Sequence, residues 1–296
     1  MQGHLHHHDP HDAAIGHARA KTNARALGIA VALTLGFAAV EFFAALYSGS
    51  IALMADAGHM VTDSTALFLA LVAQWMARRP PTATRSYGDG RIEALAAFVN
   101  SLAMVGLALW IAIEAMSRFN SPHEIAGQTV MLVAGVGLLI NIIVAWVLSK
   151  DQDSLNTKAA LVHVLGDLLG SVAALVSGAV IYLTGWTPID PLLSLFVCAL
   201  ILKSTASLLK SSYGILMEHV PSHIDFEAVG RDLSNVQGVL RVHNLHIWET
   251  SPGHATLTAH LELQGLDHWA QELPKIQAML REKHGIDHAT LQPEIR

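Results

Sequence analysis

Two stretches place an imidazole and a carboxylate four residues apart inside long apolar runs: His59-Met60-Val61-Thr62-Asp63 and His163-Val164-Leu165-Gly166-Asp167. Residues four apart share one face of a helix. An ionisable group at bilayer depth is costly unless it is partnered, so it marks a working site. A lone buried histidine is readily explained as a hydrogen-bonded packing residue. Two matching pairs on two separate apolar segments are not. Two imidazoles and two carboxylates form a tetrahedral N2O2 donor set, which suits Zn2+, with Co2+ and Cd2+ as competitors. No thiolate is present in the set, which disfavours Cu(I). Zn2+ with two carboxylates and two neutral imidazoles sums to zero charge, and so do two protons with the same four groups. Such a cage would therefore exchange zinc for protons. Asp56 lies three residues before His59 and has two readings, an ion-attracting group at an outer mouth or a cap for its own helix. Glu41, Asn100 and Asn141 either line a pathway or hydrogen-bond between helices.

The segments that must position these groups are set by where charge is missing. Only 14% of the 296 residues are charged and 52% are hydrophobic, which argues against a single soluble domain. Six windows, roughly 26–47, 51–77, 92–116, 127–148, 159–184 and 188–209, are almost free of Lys and Arg. Each reaches the ~20 apolar residues that a spanning helix needs. Lys and Arg gather before the first window, between the second and third, and between the fourth and fifth, and the opposite loops hold only Arg118. This bias predicts six spans with both termini cytoplasmic. The first 25 residues lack the apolar core of a secretory signal.

The formal net charge of −6 argues against a nucleic-acid partner, and a single cysteine, Cys198, excludes a disulfide framework. Of the net charge of −6, −5 lies after residue 211, where the chain reads as a small domain of order α-β-β-α-β. In Ala255–Leu263 apolar and polar residues alternate, the pattern of a half-buried strand. That order predicts helices on one face of a small sheet. Histidine equals Lys and Arg combined, at 18 residues, and six of these lie in the first 17 positions, including His6, His7 and His8. This tail either collects metal weakly or does nothing essential. The expected organisation is a cytoplasmic tail over 1–25, a six-span domain over 26–210 and a cytoplasmic α+β domain over 211–296.

The paired His-x-x-x-Asp motifs resemble those of the cation diffusion facilitators, which export zinc, cadmium and cobalt. The stretch Ser48–Arg79 is similar to bacterial zinc-efflux members, as are Tyr87–Asn100, His163–Ser171, Gly185–Pro188 and Val242–Trp248. The likeness covers nearly the whole chain. It implies a six-helix bundle followed by a ferredoxin-like, metallochaperone-like domain, a homodimer in the bacterial inner membrane, and proton-coupled zinc efflux by alternating access. His59, Asp63, His163 and Asp167 match the family's transport site, and His on both helices resembles its zinc-preferring members.

The resemblance also implies further positions, with departures. A metal site that some relatives carry between spans two and three meets Arg85 here, which cannot ligate. A two-metal cluster of the cytoplasmic domain meets Gln292 and Glu294 where His and Asp would stand. What remains for a site there is His243, His260 and Glu294; the other reading is solvated histidines on an acidic domain. Arg91 and Glu218 resemble an interlocking charge pair beneath the membrane.

The expected function is export of Zn2+, and of Cd2+ or Co2+, from the cytoplasm in exchange for protons. The rivals are a zinc-sensing or metal-gated membrane protein without coupled transport. A metalloenzyme is disfavoured, because no His-Glu-x-x-His motif occurs and four protein ligands leave no open coordination position.

Overall fold

In the computed structural model the described residues run from 34 to 295, apart from 78, 80, 121–122 and 150–154. Positions 155–165 and a few others within helices are described as helix without their side chains. The His-rich tail, with His6, His7 and His8, lies outside the described residues.

Six apolar helices follow one another: α1 (Thr34–Ser48), α2 (Ile51–Ala77), α3 (Arg91–Asn120), α4 (Gly127–Ser149), α5 (Leu155–Thr184) and α6 (Ile189–Leu216). Helices α2 to α6 are each long and apolar enough to cross a membrane. The described part of α1 is shorter and also apolar, and the window it belongs to extends into residues outside the description. Large apolar side chains such as Phe43, Leu71, Trp75, Ile113 and Leu183 point outward, as lipid-facing residues do.

The described chain forms two compact units. The first combines residues up to Ser64 with Gly106–Leu202, and the part of α2 from Ile51 to Ser64 packs against several of its other helices. Leu53 packs in a cluster with Ala45, Ala134 and Ala174, while Ile51 and Ala55 pack with Ile111, Ala115 and Cys198. Met60 packs with Phe37 and Ala38. Small residues let the neighbouring helices come close. The extreme case is α4 against α5, where a Cβ built on Gly178 would lie 2.5 Å from the backbone nitrogen of Met131.

The second unit combines Thr65–Val105 with the residues from Lys203 onward. It includes the C-terminal α+β domain: α7 (Phe226–Ser234), β1 (Val239–Ser251), β2 (His254–Leu263), α8 (Trp269–His284) and β3 (Ile286–Ile295). The α-β-β-α-β order is the one expected. The sheet runs β1-β2-β3, with β1 antiparallel to β2 and β3 parallel to it. Odd-numbered residues of β2, Leu257, Ala259, Leu261 and Leu263, enter the core with Val229 and Leu233 of α7 and Ile276 and Leu280 of α8. Period-two alternation then leaves Thr258, His260 and Glu262 on the face that carries no helix.

Asp225 caps α7, accepting the Ala228 N–H at 3.0 Å. Gly285 ends α8 in the left-handed conformation with φ 66°. Asp232 of α7 accepts Lys283 Nζ at 2.6 Å and His284 Nε2 at 2.7 Å, so the two helices are tied across the sheet face. The hydrogen bond from Lys283, then that from His284, holds the Asp232 carboxyl below its ordinary value.

Candidate metal centres

Helix α2 brings His59 and Asp63 to one face, one turn apart. His59 Nδ1 lies 2.9 Å from Asp63 Oδ2, and His59 Nε2 lies 3.7 Å from Asp167 Oδ1 of α5. One donor atom from each of His59, Asp63 and Asp167 falls within 4.8 Å of the others, close enough to hold a single cation. Their side chains are 16%, 17% and 7% exposed, so Asp167 is buried and His59 and Asp63 are half-buried within the first unit. His163, the fourth residue expected here, lies one helical turn before Asp167, and its side chain is outside the described residues.

Close approach of α5 to α2 depends on Gly170. A Cβ there would sit 2.6 Å from Asp56 Oδ1. Asp56 is fully buried, and its Oδ2 accepts the Ser171 hydroxyl at 3.1 Å. Ser171 in turn accepts Asn141 Nδ2 at 3.1 Å, which links α4 to the same network. Glu41 of α1 is also fully buried. Asp56, expected at an outer mouth, therefore sits inside the packing between α2 and α5. Asn100 is buried as well.

The second cluster rests on three adjacent strands of the second unit. His243 of β1 stands directly opposite His260 of β2. His260 faces Gln292 of β3, and Glu262 faces Glu294. Glu294 reaches the diagonal position, a distance a long side chain spans. Its Oε1 lies 2.6 Å from His260 Nδ1, and its Oε2 lies 2.9 Å from His243 Nε2. The imidazole rings are 5.1 Å apart between centroids. The hydrogen bond from His260, then that from His243, holds the Glu294 carboxyl below its ordinary value. One donor atom from each of the three residues lies within 4.8 Å of the others. Glu262 Oε1 lies 4.0 Å from His243 Nε2, a fourth polar group at this cluster that sequence reasoning passes over.

Two further expected features fall in the second unit. Arg91 Nη2 donates to Glu218 Oε1 at 2.7 Å. Arg85 Nη1 holds the Asp89 carboxylate at 2.7 and 2.9 Å, so that loop presents an ion pair where some relatives were expected to bind metal.

Comparison with known proteins places the chain in a family. A family model described as "Cation efflux transmembrane domain" matches residues 27–217, well over half of the chain. This chain belongs to the cation efflux family. A second model, "Cation efflux protein, cytoplasmic domain", matches residues 221–295. The family is one of multi-pass membrane proteins with a cytoplasmic domain, and its relatives are named as transporters. "Zinc transporter ZitB" of Yersinia pestis is 43% identical over 92% of this chain and 88% of its own length. The "Cadmium, cobalt and zinc/H(+)-K(+) antiporter" of Bacillus subtilis is 34% identical over 92% of this chain and 89% of its own length. A solved structure, "Metal-bound C-terminal domain of the CzcD transporter from Cuprividus metallidurans", is 33% identical, with a TM-score of 0.23, covering 24% of this chain and 99% of that chain.

Proposed function

We propose that this cation efflux protein is a homodimeric secondary transporter that exports Zn2+ from the cytoplasm in exchange for protons, and also accepts Cd2+ or Co2+. The observation that carries the reading is the convergence of His59, Asp63 and Asp167 on two apolar helices. His163 completes the cage at the matching position of α5. Zn2+ enters from the cytoplasm, where the two carboxylates neutralise it and the imidazoles supply the softer donors. The bundle then opens outward. Protons compete for the same lone pairs and release the metal, because imidazole titrates near neutral pH and a protonated ligand cannot bind. The protonated cage, again uncharged, returns. The relatives' names, a zinc transporter and a cadmium, cobalt and zinc antiporter, support this choice of substrate and coupling.

The remaining assignments belong to the same proposal. Residues 1–25 form a cytoplasmic tail on which His6, His7 and His8 collect zinc weakly. Residues 26–210 form the membrane domain, with both chain ends on the cytoplasmic side of the inner membrane. Residues 211–296 form the cytoplasmic domain, in which His243, His260 and Glu294 bind a regulatory Zn2+. The Arg91–Glu218 ion pair steadies the dimer beneath the membrane.

The test is zinc uptake into proteoliposomes under an imposed proton gradient. Uptake is expected to saturate with zinc and to collapse when the gradient is dissipated. Non-saturating conductance would point to a channel, and zinc binding without net flux to a sensor. Either result would overturn the proposal.

A further inference from the structure

The structure holds a buried carboxylate that the exchange cycle does not use. Asp190, in the first turn of α6, is fully buried in the first unit. Its Oδ1 accepts the hydroxyls of Ser50 at 2.6 Å and Ser177 at 3.0 Å. Its Oδ2 accepts the backbone N–H of Ile51 at 2.7 Å and of Ala52 at 3.4 Å. A carboxylate offers about four lone-pair positions, and here each meets a donor.

The donors come from the two helices that carry the His-x-x-x-Asp pairs. Ser50, Ile51 and Ala52 open α2, and Ser177 lies within α5. The first N–H groups of a helix have no partner inside it and carry partial positive charge. In α2 all four are satisfied: Ile51 and Ala52 by Asp190, Leu53 by the Ser50 hydroxyl at 3.2 Å, and Met54 by the Ser50 carbonyl at 3.3 Å. The Ser50 hydroxyl acts in both directions, capping its own helix and donating to Asp190. A local serine cap alone would serve α2. The added carboxylate also reaches α5, which capping does not require.

We infer that Asp190 is a positioning residue that clamps α2 to α5 at one end and thereby sets the axial register of His59 and Asp63 against Asp167. The clamp acts along rigid rods. His59 lies about 12 Å along α2 from Ile51, and Asp167 about 15 Å along α5 from Ser177, at ~1.5 Å of rise per residue. Half a turn of slip between the rods would separate donors that now lie within 4.8 Å of one another. The rest of this end of α2 is fixed as well. The Gly49 carbonyl accepts Arg118 Nη1 of α3, and the Ala126 N–H donates to the Ser48 carbonyl at 3.0 Å. Among the described residues at this end of α2, Asp190 supplies the tie to α5, while the Asp56–Ser171 bond joins the same two helices nearer the cluster. This inference rests on the reading of His59, Asp63 and Asp167 as the transport site.

The test separates clamping from capping. Zinc uptake by the full-length protein in proteoliposomes is measured for Ser177→Ala, Asp190→Ala, and Asp190→Ala combined with Ser50→Asp. Melting of each variant in detergent is followed alongside. Ser177→Ala removes only the bond to α5 and keeps the α2 cap. It is expected to raise the zinc KM about threefold, and Asp190→Ala roughly tenfold, with smaller changes in the maximal rate, the range in which single positions modulate coupling between sites. The double variant restores a carboxylate cap on α2 without the tether. Its melting temperature is expected to recover while its KM stays raised. A wild-type KM in the double variant, or in Ser177→Ala, would overturn the clamp. Asp63→Ala in the same vesicles keeps the two ideas apart. If it is inactive while Ser177→Ala and the double variant keep a wild-type KM, only the clamp fails; if it transports like wild type, the site itself fails.

Discussion

The cluster of α2 and α5 and the cluster on the C-terminal sheet share a donor chemistry of imidazole and carboxylate, yet they are built on different supports. His59, Asp63 and Asp167 hang from two rods whose ladders of backbone hydrogen bonds run within each rod, apart from the first N–H groups of α2, which Asp190 accepts. His243, His260 and Glu294 hang from three strands stitched to one another by the ladder. Sliding or tilting α2 against α5 breaks packing and the side-chain bonds made by Asp190 and Asp56, but no bond between one backbone and another. Sliding β3 against β2 breaks the ladder and flips every side chain to the other face. The helical site is suited to opening and closing around a cargo, and the sheet site to holding an ion in one geometry. Burial points the same way. The helical donors are 7–17% exposed, where a charge is costly unless neutralised, and the sheet donors are 27–34% exposed, where solvent shares the task.

The comparison is broken most directly by exchanging which cluster is damaged. Asp167→Asn is expected to lower the maximal rate of zinc transport by more than roughly a hundredfold, since even outer partners of metal ligands are worth ~10–100-fold. His243→Ala with His260→Ala is expected to remove one bound zinc in calorimetry of the full chain, while changing transport at saturating zinc by no more than about threefold, because regulation adds only a modest coupling. Equal losses in the two variants would erase the distinction.

A smaller effect separates two glycines of α5. Gly170→Ala places a methyl 2.6 Å from Asp56 Oδ1, whereas a Cβ on Gly166 meets none of the described residues within 4 Å. Overpacking at Gly170 is expected to cost about 1–3 kcal/mol, read as a lower melting temperature. Gly166→Ala is expected to be neutral or to stabilise by up to ~1 kcal/mol.

The smallest effect concerns pH at the sheet. The folded value of Glu294 lies below its ordinary one. Its contribution to stability is therefore full above the ordinary glutamate range and is lost only as pH falls through the lower folded value. Hydrogen-exchange protection of β3, corrected for intrinsic rates, is expected to be no lower at pH 5.5 than at pH 7. A marked loss over that interval would contradict Glu294 as the ionised anchor of the cluster.

The parts of this account legible in sequence are those with a short period. The i, i+4 spacing exposes His59 with Asp63, and period two exposes β2 and its polar face. Long apolar windows expose the helices, with ends less certain: α6 runs on to Leu216, because Lys203 and Lys210 lengthen a helix without stopping it. Strand β1 shifts register between His243 and His246, where Asn244 adopts φ 48°, and no composition rule marks that bulge. The parallel pairing of β3 follows from the crossover through α8, which local patterning does not show. Asp190 is the clearest omission. Windows bounded by Lys and Arg pass over an aspartate beside the Gly185–Pro188 turn, and its partner Ser50 lies 140 residues away. Only the packed helices bring the two together.

The central claim is that zinc crosses through the cluster on α2 and α5. Zinc uptake into proteoliposomes under a proton gradient, wild type against Asp63→Ala, tests it most directly. The variant is expected to fold, to insert and to bind zinc at the sheet, yet to transport none above the rate of empty liposomes. Wild-type transport by Asp63→Ala would contradict the account.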